Sequence, residues 1–135
     1  MIDFESQIYT DIVTKLRTEL SSLNIKCKSI TTYTPEEFPM VCIEEADNYA
    51  NRYTRDTGSN ENFADVMYEV NVYSNKANTA KSEAKQILGV VDAEFNAIGF
   101  TRTVKTMIPM NNAQICRMVA RYQATIGTDG KIYRR

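Results

Sequence analysis

The chain has 135 residues, 43% hydrophobic and 24% charged, with 5 Gly and 3 Pro. That is the size and make-up of one globular domain, and it excludes a fibrous or broadly disordered chain. Histidine is absent, which removes the commonest general base and metal ligand together with any Ser-His or Cys-His nucleophile pair.

No apolar run approaches the roughly 18 residues that cross a bilayer, so no membrane span is expected. Met1-Ile2-Asp3-Phe4-Glu5 begins with acids rather than a basic, then apolar leader, so no signal peptide is expected either. Cys27, Cys42 and Cys116 are odd in number and far apart, which yields neither a disulfide framework nor a CxxC metal site. Each lies in a strand-like run and reads as a small buried hydrophobe of a cytosolic protein.

In chain order, Phe4, Ile8, Ile12, Leu16 and Leu20 recur every four residues, which predicts an amphipathic helix over 5–23 that Asn24 ends. Ile25 to Tyr33 alternates weakly as a strand, and Thr34-Pro35-Glu36-Glu37-Phe38-Pro39 is a turn. Met40 to Ala46 reads as a second strand. Residues 47–62 are polar and without period, and read as a long flexible loop. Phe63 to Tyr73 is the clearest strand, with Val66, Tyr68, Val70 and Val72 on one face. A second helix carries Ala80, Ala84, Ile87, Leu88, Val91, Phe95 and Ile98 as one stripe and stops at Gly99, where a left-handed cap belongs. Phe100, Arg102, Val104, Thr106 and Ile108 then alternate with their neighbours. Ile115 to Ile126 returns as a long strand, and a basic segment, 127–135, closes the chain.

Two helices with one apolar stripe each, and strands with one apolar face, pack most economically as a single α+β domain over 1–135: a mainly antiparallel sheet with two amphipathic helices on one face. The other face is expected to present Glu69, Asn71, Tyr73, Arg117 and Arg121 to solvent or a partner. Tyr68 and Tyr122 belong to the core.

The net charge of −1 hides a division. Residues 36–69 hold nine acids against Arg52 and Arg55, a balance of −7; residues 102–135 hold seven bases against Asp129, a balance of +6. Neighbouring strands of one molecule can neutralise each other in this way. Alternatively, the acidic part of one subunit faces the basic part of another in a head-to-tail contact that closes a ring. Nucleic-acid binding is a weaker third reading, because the seven bases alternate along a strand with few interleaved exposed aromatics and the pI is near 5.5.

Nothing in the chain reads as an enzyme. The five glycines form no phosphate-cradling pattern, the Glu44-Glu45 pair points to opposite strand faces, and no serine sits in a nucleophile elbow. No cofactor or metal is expected. The candidate functional residues are those suited to an interface between chains: Glu45, Asp47, Tyr49, Arg52, Tyr53, Arg55, Glu61, Tyr73, Arg117, Arg121, Tyr133, Arg134 and Arg135.

The run from Phe63 to Lys76, entering a helix that ends Ile98-Gly99-Phe100, resembles the tail terminator (tail completion) proteins of long-tailed bacteriophages. So does Arg117-Met118-Val119-Ala120-Arg121-Tyr122-Gln123-Ala124-Thr125-Ile126 with the following Gly130-Lys131-Ile132-Tyr133-Arg134-Arg135. The resemblance extends over nearly the whole chain. It implies a homo-oligomeric ring, usually a hexamer, at the head-proximal end of the virion tail, assembled in the bacterial cytoplasm. Such a ring caps the tail tube protein, stops its polymerisation, and offers its other surface to the head-tail connector protein. DNA passes through the lumen without specific binding, and excess carboxylates from segment 44–65, among them Glu45, Asp47 and Glu61, would keep that channel slippery. The alternatives are a head-completion or stopper neck protein, and a small nucleic-acid- or peptide-binding α+β module.

Overall fold

The computed structural model describes residues 1–50 and 63–134. The apolar stripes do what their spacing demands. α1 (Glu5–Glu19) buries Ile8, Ile12, Val13 and Leu16, and α2 (Ala80–Ile98) buries Ala84, Ile87, Leu88, Val91 and Phe95. Both helices pack on one face of a six-stranded sheet formed by β1 (Lys26–Lys28), β2 (Met40–Ala50), β3 (Phe63–Ser74), β4 (Thr101–Ile108), β5 (Cys116–Gly127) and β6 (Ile132–Arg134). The fold is α+β.

The sheet runs β1-β2-β3-β5-β4. β1 lies parallel to β2, and every other pairing is antiparallel, so the sheet is mixed but mainly antiparallel. β3 occupies one edge of β5 along its whole length. On the other edge β4 pairs with Arg117–Gln123 and β6 takes over at Ala124–Ile126. Val66, Tyr68, Val70 and Val72 of β3, and Met118, Ala120, Tyr122, Ala124 and Ile126 of β5, form the core under the helices. Tyr68 and Tyr122 are each 1% exposed, as the alternation predicts.

Several boundaries differ from the expectation, each for a physical reason. The first helix stops at Glu19; a short 3-10 turn, Ser21–Leu23, follows, and Asn24 adopts a left-handed backbone (φ 53°) that breaks it. The expected 25–33 strand shrinks to three residues. Beyond Lys28 the chain no longer bonds to the backbone of β2, and the Thr31 N–H donates instead to the Glu44 carboxylate at 2.9 Å. β2, in contrast, extends past Ala46 through Ala50, because β3 supplies partners for Asp47, Asn48, Tyr49 and Ala50. Those four residues belong to a strand and not to the expected loop. The remainder of that loop, 51–62, lies outside the described residues.

Two bulges re-aim side chains. On β2, Glu45 pairs with Tyr68 and Asp47 with Met67, leaving Ala46 extra, so Glu45 and Asp47 emerge on opposite faces. On β4, Arg102 pairs with Tyr122 and Val104 with Arg121, so these two residues do not share a face as simple alternation predicts.

The second sheet face is partly closed. Asn71 and Tyr73, expected to face outward, are both 0% exposed. Phe38, Met40, Cys42, Met110 and Ile115 gather around Tyr73 in a small second core. Apolar neighbours from the turn before β2 and the segment before β5 cover a position that alternation marks only as facing away from the helices. Cys42 and Cys116 are buried, Cys27 is half-buried, and all three are free.

Candidate functional site

Cross-strand register sorts the second sheet face into rows. One end carries Met40, Tyr73, Arg117 and Ile108 side by side; the middle carries Glu44, Glu69, Arg121 and Val104; the far end carries Tyr49, Asp65, Thr125 and Tyr133. Acidic β3 therefore lies directly beside basic β5, with acidic β2 on its other side, and part of the charge division is neutralised within the molecule.

The neutralisation is specific. Arg121 meets Glu69 at 3.4 Å, Asn71 Nδ2 donates to Glu69 Oε1 at 3.2 Å, and Arg117 Nε donates to Asn71 Oδ1 at 2.9 Å. This polar ladder crosses from β5 to β3 and back. The Arg117 guanidinium also lies 5.3 Å from the Tyr33 ring and 5.6 Å from the Tyr73 ring. Arg102, the first base of the basic region, binds Asp92 of α2 at 3.1 Å.

The expected interface residues fall into separate groups. Glu45, Asp47 and Tyr49 lie on the stretch of β2 beyond its short contact with β1, where the strand edge is unpaired by β1. Asp3 and Glu5 join Glu45 and Asp47 around a cleft of about 320 Å³. Neither Asp3 nor Glu5 stands out in the sequence, because an acid near a helix start is ordinary. The Glu45 backbone N–H donates to Glu5 Oε2 at 2.8 Å, and the Asn48 side chain donates to the Ile2 carbonyl at 2.8 Å, which ties the start of the chain to this edge. Burial pushes the Glu45 carboxyl above its ordinary value, and the carboxylates of Glu5 and Asp3 push it the same way, against hydrogen bonds from Asn48 and Tyr68. Bulged, acidic edges of this kind also discourage indiscriminate strand pairing.

Tyr133 is 40% exposed, sits edge-on to Phe63 at 5.6 Å, and has the Lys131 ammonium 5.5 Å from its ring. Arg134 pairs with Ala124 through its backbone. Tyr73 is a correction: it is buried within its own chain, and burial raises its hydroxyl's pKa. Arg52, Tyr53, Arg55, Glu61 and Arg135 lie outside the described residues.

A further concavity falls, apart from Arg117, on residues that pattern reading passes over. A groove of about 690 Å³ opens between the start of α2 and the β4–β5 connection, with Met107, Ile108, Pro109, Met110 and Ile115 as apolar lining and Lys76, Lys81 and Arg117 as its cations. Its signal in the sequence is Met107-Ile108-Pro109-Met110, an apolar run that continues from the end of β4 into the connection, where polar residues are the norm.

No protein-family model and no curated protein matches this chain. Among the described residues no group of three or more His, Cys, Asp or Glu is placed to hold a metal ion, and no helix is long and apolar enough to cross a membrane. Burial raises all three cysteine pKa values, which disfavours the nucleophilic thiolate. The arrangement offers surfaces of unlike charge and contour, which suits association.

Proposed function

We propose that this chain is a structural assembly protein, a tail terminator of a long-tailed bacteriophage or prophage. In this reading copies form a ring, hexameric by resemblance, that caps the tail tube, ends its polymerisation and provides the surface for head-tail joining. The observation that carries it is the fold: an α+β sheet with both helices on one face, built in part from the two stretches, 63–100 and 117–134, that carry the resemblance. The oppositely charged surfaces support it too, since a ring needs a heterologous contact between two different patches. Of the carboxylates expected to line the lumen, Asp47 lies on the second sheet face, Glu45 turns to the helix side against Tyr68, and Glu61 lies outside the described residues.

The nucleic-acid reading is less well supported. Arg102, Arg117 and Arg121 each already bind a carboxylate or an amide oxygen of their own chain, which lowers what they could offer to phosphates.

The test is electron microscopy and native mass spectrometry of the full chain, alone and with polymerising tail tube protein. Rings seated on tube ends, with tube growth halted, are the expected result. Tubes that grow unchanged and carry no cap would overturn the reading.

A further inference from the structure

We propose that the groove between the start of α2 and the β4–β5 connection receives the acidic β2 edge of a second copy of this chain. The inference rests on the ring reading and assigns its subunit contact to residues.

Three features of the groove select an acidic occupant with apolar character. Lys76, Lys81 and Arg117 line it, and no Asp or Glu is among the described residues that do. Lys76 and Lys81 are exposed, and neither has a carboxylate within ion-pair distance among the described residues. α2 begins here with Thr79 making no side-chain cap, so its first backbone N–H groups and the positive end of its dipole face the same region. The nearest acid on that turn, Glu83, is occupied by the Ser74 hydroxyl at 2.6 Å. Between the cations, Met107 (50% exposed), Met110 and Ile115 offer an adaptable apolar surface.

The matching surface lies at the other end of the sheet. Asp3 and Glu5 act on Glu45, Asp47 lines the same cleft beyond the bulge, no Lys or Arg is among the described residues that line it, and Met1 and Tyr49 are 99% and 63% exposed. Burial first, and then the Glu5 and Asp3 carboxylates, raise the Glu45 carboxyl, and an incoming ammonium group would relieve the repulsion among the three. The two surfaces cannot meet within one molecule. Glu45 and Asp47 pair with Tyr68 and Met67, and Arg117 of the groove pairs with Tyr73, so five to six residue steps along β3 hold the two surfaces about 16–20 Å apart at roughly 3.3 Å per residue. Complementary patches at opposite ends of one subunit join copies head to tail, the contact that closes rings.

Charge reversal tests this on the full chain, with circular dichroism verifying the fold and sedimentation velocity measuring assembly. The double variant Lys76→Glu, Lys81→Glu should weaken self-association by about tenfold or more, and so should Asp3→Lys, Asp47→Lys. All four changes in one chain should restore assembly, which a merely misfolded variant would not do. Assembly of Lys76→Glu, Lys81→Glu equal to the unaltered protein, or loss without rescue in the fourfold variant, overturns this contact and leaves the ring reading intact. An unaltered protein that stays monomeric, even with tail tubes, overturns both. Binding of duplex DNA that Lys76→Glu, Lys81→Glu abolishes, without any self-association, overturns it in favour of a nucleic-acid surface.

Discussion

The ring of Tyr122 lies flat on that of Phe95, centroids 4.3 Å apart and planes 7° from parallel, and so joins β5 to the last turn of α2. Phe95 in turn meets Phe100 edge-on at 5.2 Å and Tyr68 at 6.0 Å. Four aromatic rings thus form the centre of the core at the end of α2. The Tyr122 hydroxyl emerges from this stack to donate to Asp92 Oδ1 at 2.9 Å, the oxygen that also binds Arg102.

That hydroxyl has a counterpart with the opposite fate. Tyr73 is equally buried, but its hydroxyl has no hydrogen-bond partner among the described residues. Removing a satisfied group costs about 1 kcal/mol, whereas removing a buried unsatisfied one costs nothing or stabilises. Tyr122→Phe should therefore lower the unfolding free energy by about 1 kcal/mol, and Tyr73→Phe should leave it unchanged or raise it. Urea denaturation of both variants checks the contrast; equal losses would refute it.

Two glycines, one inside α2 and one at its end, should respond in opposite directions. Gly99 has φ of 110°, its N–H donates to the Asn96 carbonyl, and the Phe100 N–H donates to that of Phe95, a left-handed helix stop with Phe100 packed back on Phe95. An added methyl group would also lie 3.1 Å from Ile132. Gly99→Ala should cost about 1–2 kcal/mol. Gly89 is exposed in mid-helix, and a methyl group added there would meet nothing within 4 Å, so Gly89→Ala should gain about 0.5–1 kcal/mol. Thermal melts of the two variants decide it.

Within the Arg117–Asn71–Glu69–Arg121 ladder, burial and not formal charge should set the cost. The Arg121 side chain is 48% exposed, so a double-mutant cycle on Arg121 and Glu69 should return less than about 1 kcal/mol, and less in high salt. Asn71 is fully buried and its loss strands Arg117 Nε and a Glu69 oxygen. Asn71→Ala should cost about 1–3 kcal/mol. A larger effect for Arg121→Ala than for Asn71→Ala would contradict the assignment.

Glu45 should make stability fall as pH rises. Its carboxyl pKa is raised in the fold above the ordinary 4.5, so the folded state holds the proton more tightly than the unfolded chain. The group's contribution is complete below the ordinary value and is lost as pH climbs through the raised one. Glu45→Gln removes that loss, and the variant should gain on the unaltered protein as pH increases from about 4 to 7. A stability difference that is constant across this range would exclude the effect.

Local pattern alone carried much of the architecture. The stripes from Ile8 to Leu16 and from Ala84 to Phe95, the alternation through Val66 to Val72, and the stop at Gly99 are statements about residues within a turn or two of each other. So is the core placement of Tyr68 and Tyr122. Periods of 3.6 and 2 are properties of the backbone and are written into any sequence that buries one side of it. What only the tertiary structure decided is whatever a distant segment supplies. β2 reaches Ala50 because β3 is there to bond it; β1 ends at Lys28 because the Glu44 side chain takes the Thr31 N–H; Tyr73 is covered because Met110 and Ile115 fold over it. The groove and the carboxylate cleft belong to the same class. Lys76 and Met107 line one groove, and Asp3 and Asp47 one cleft, only after folding has brought together residues far apart in the chain.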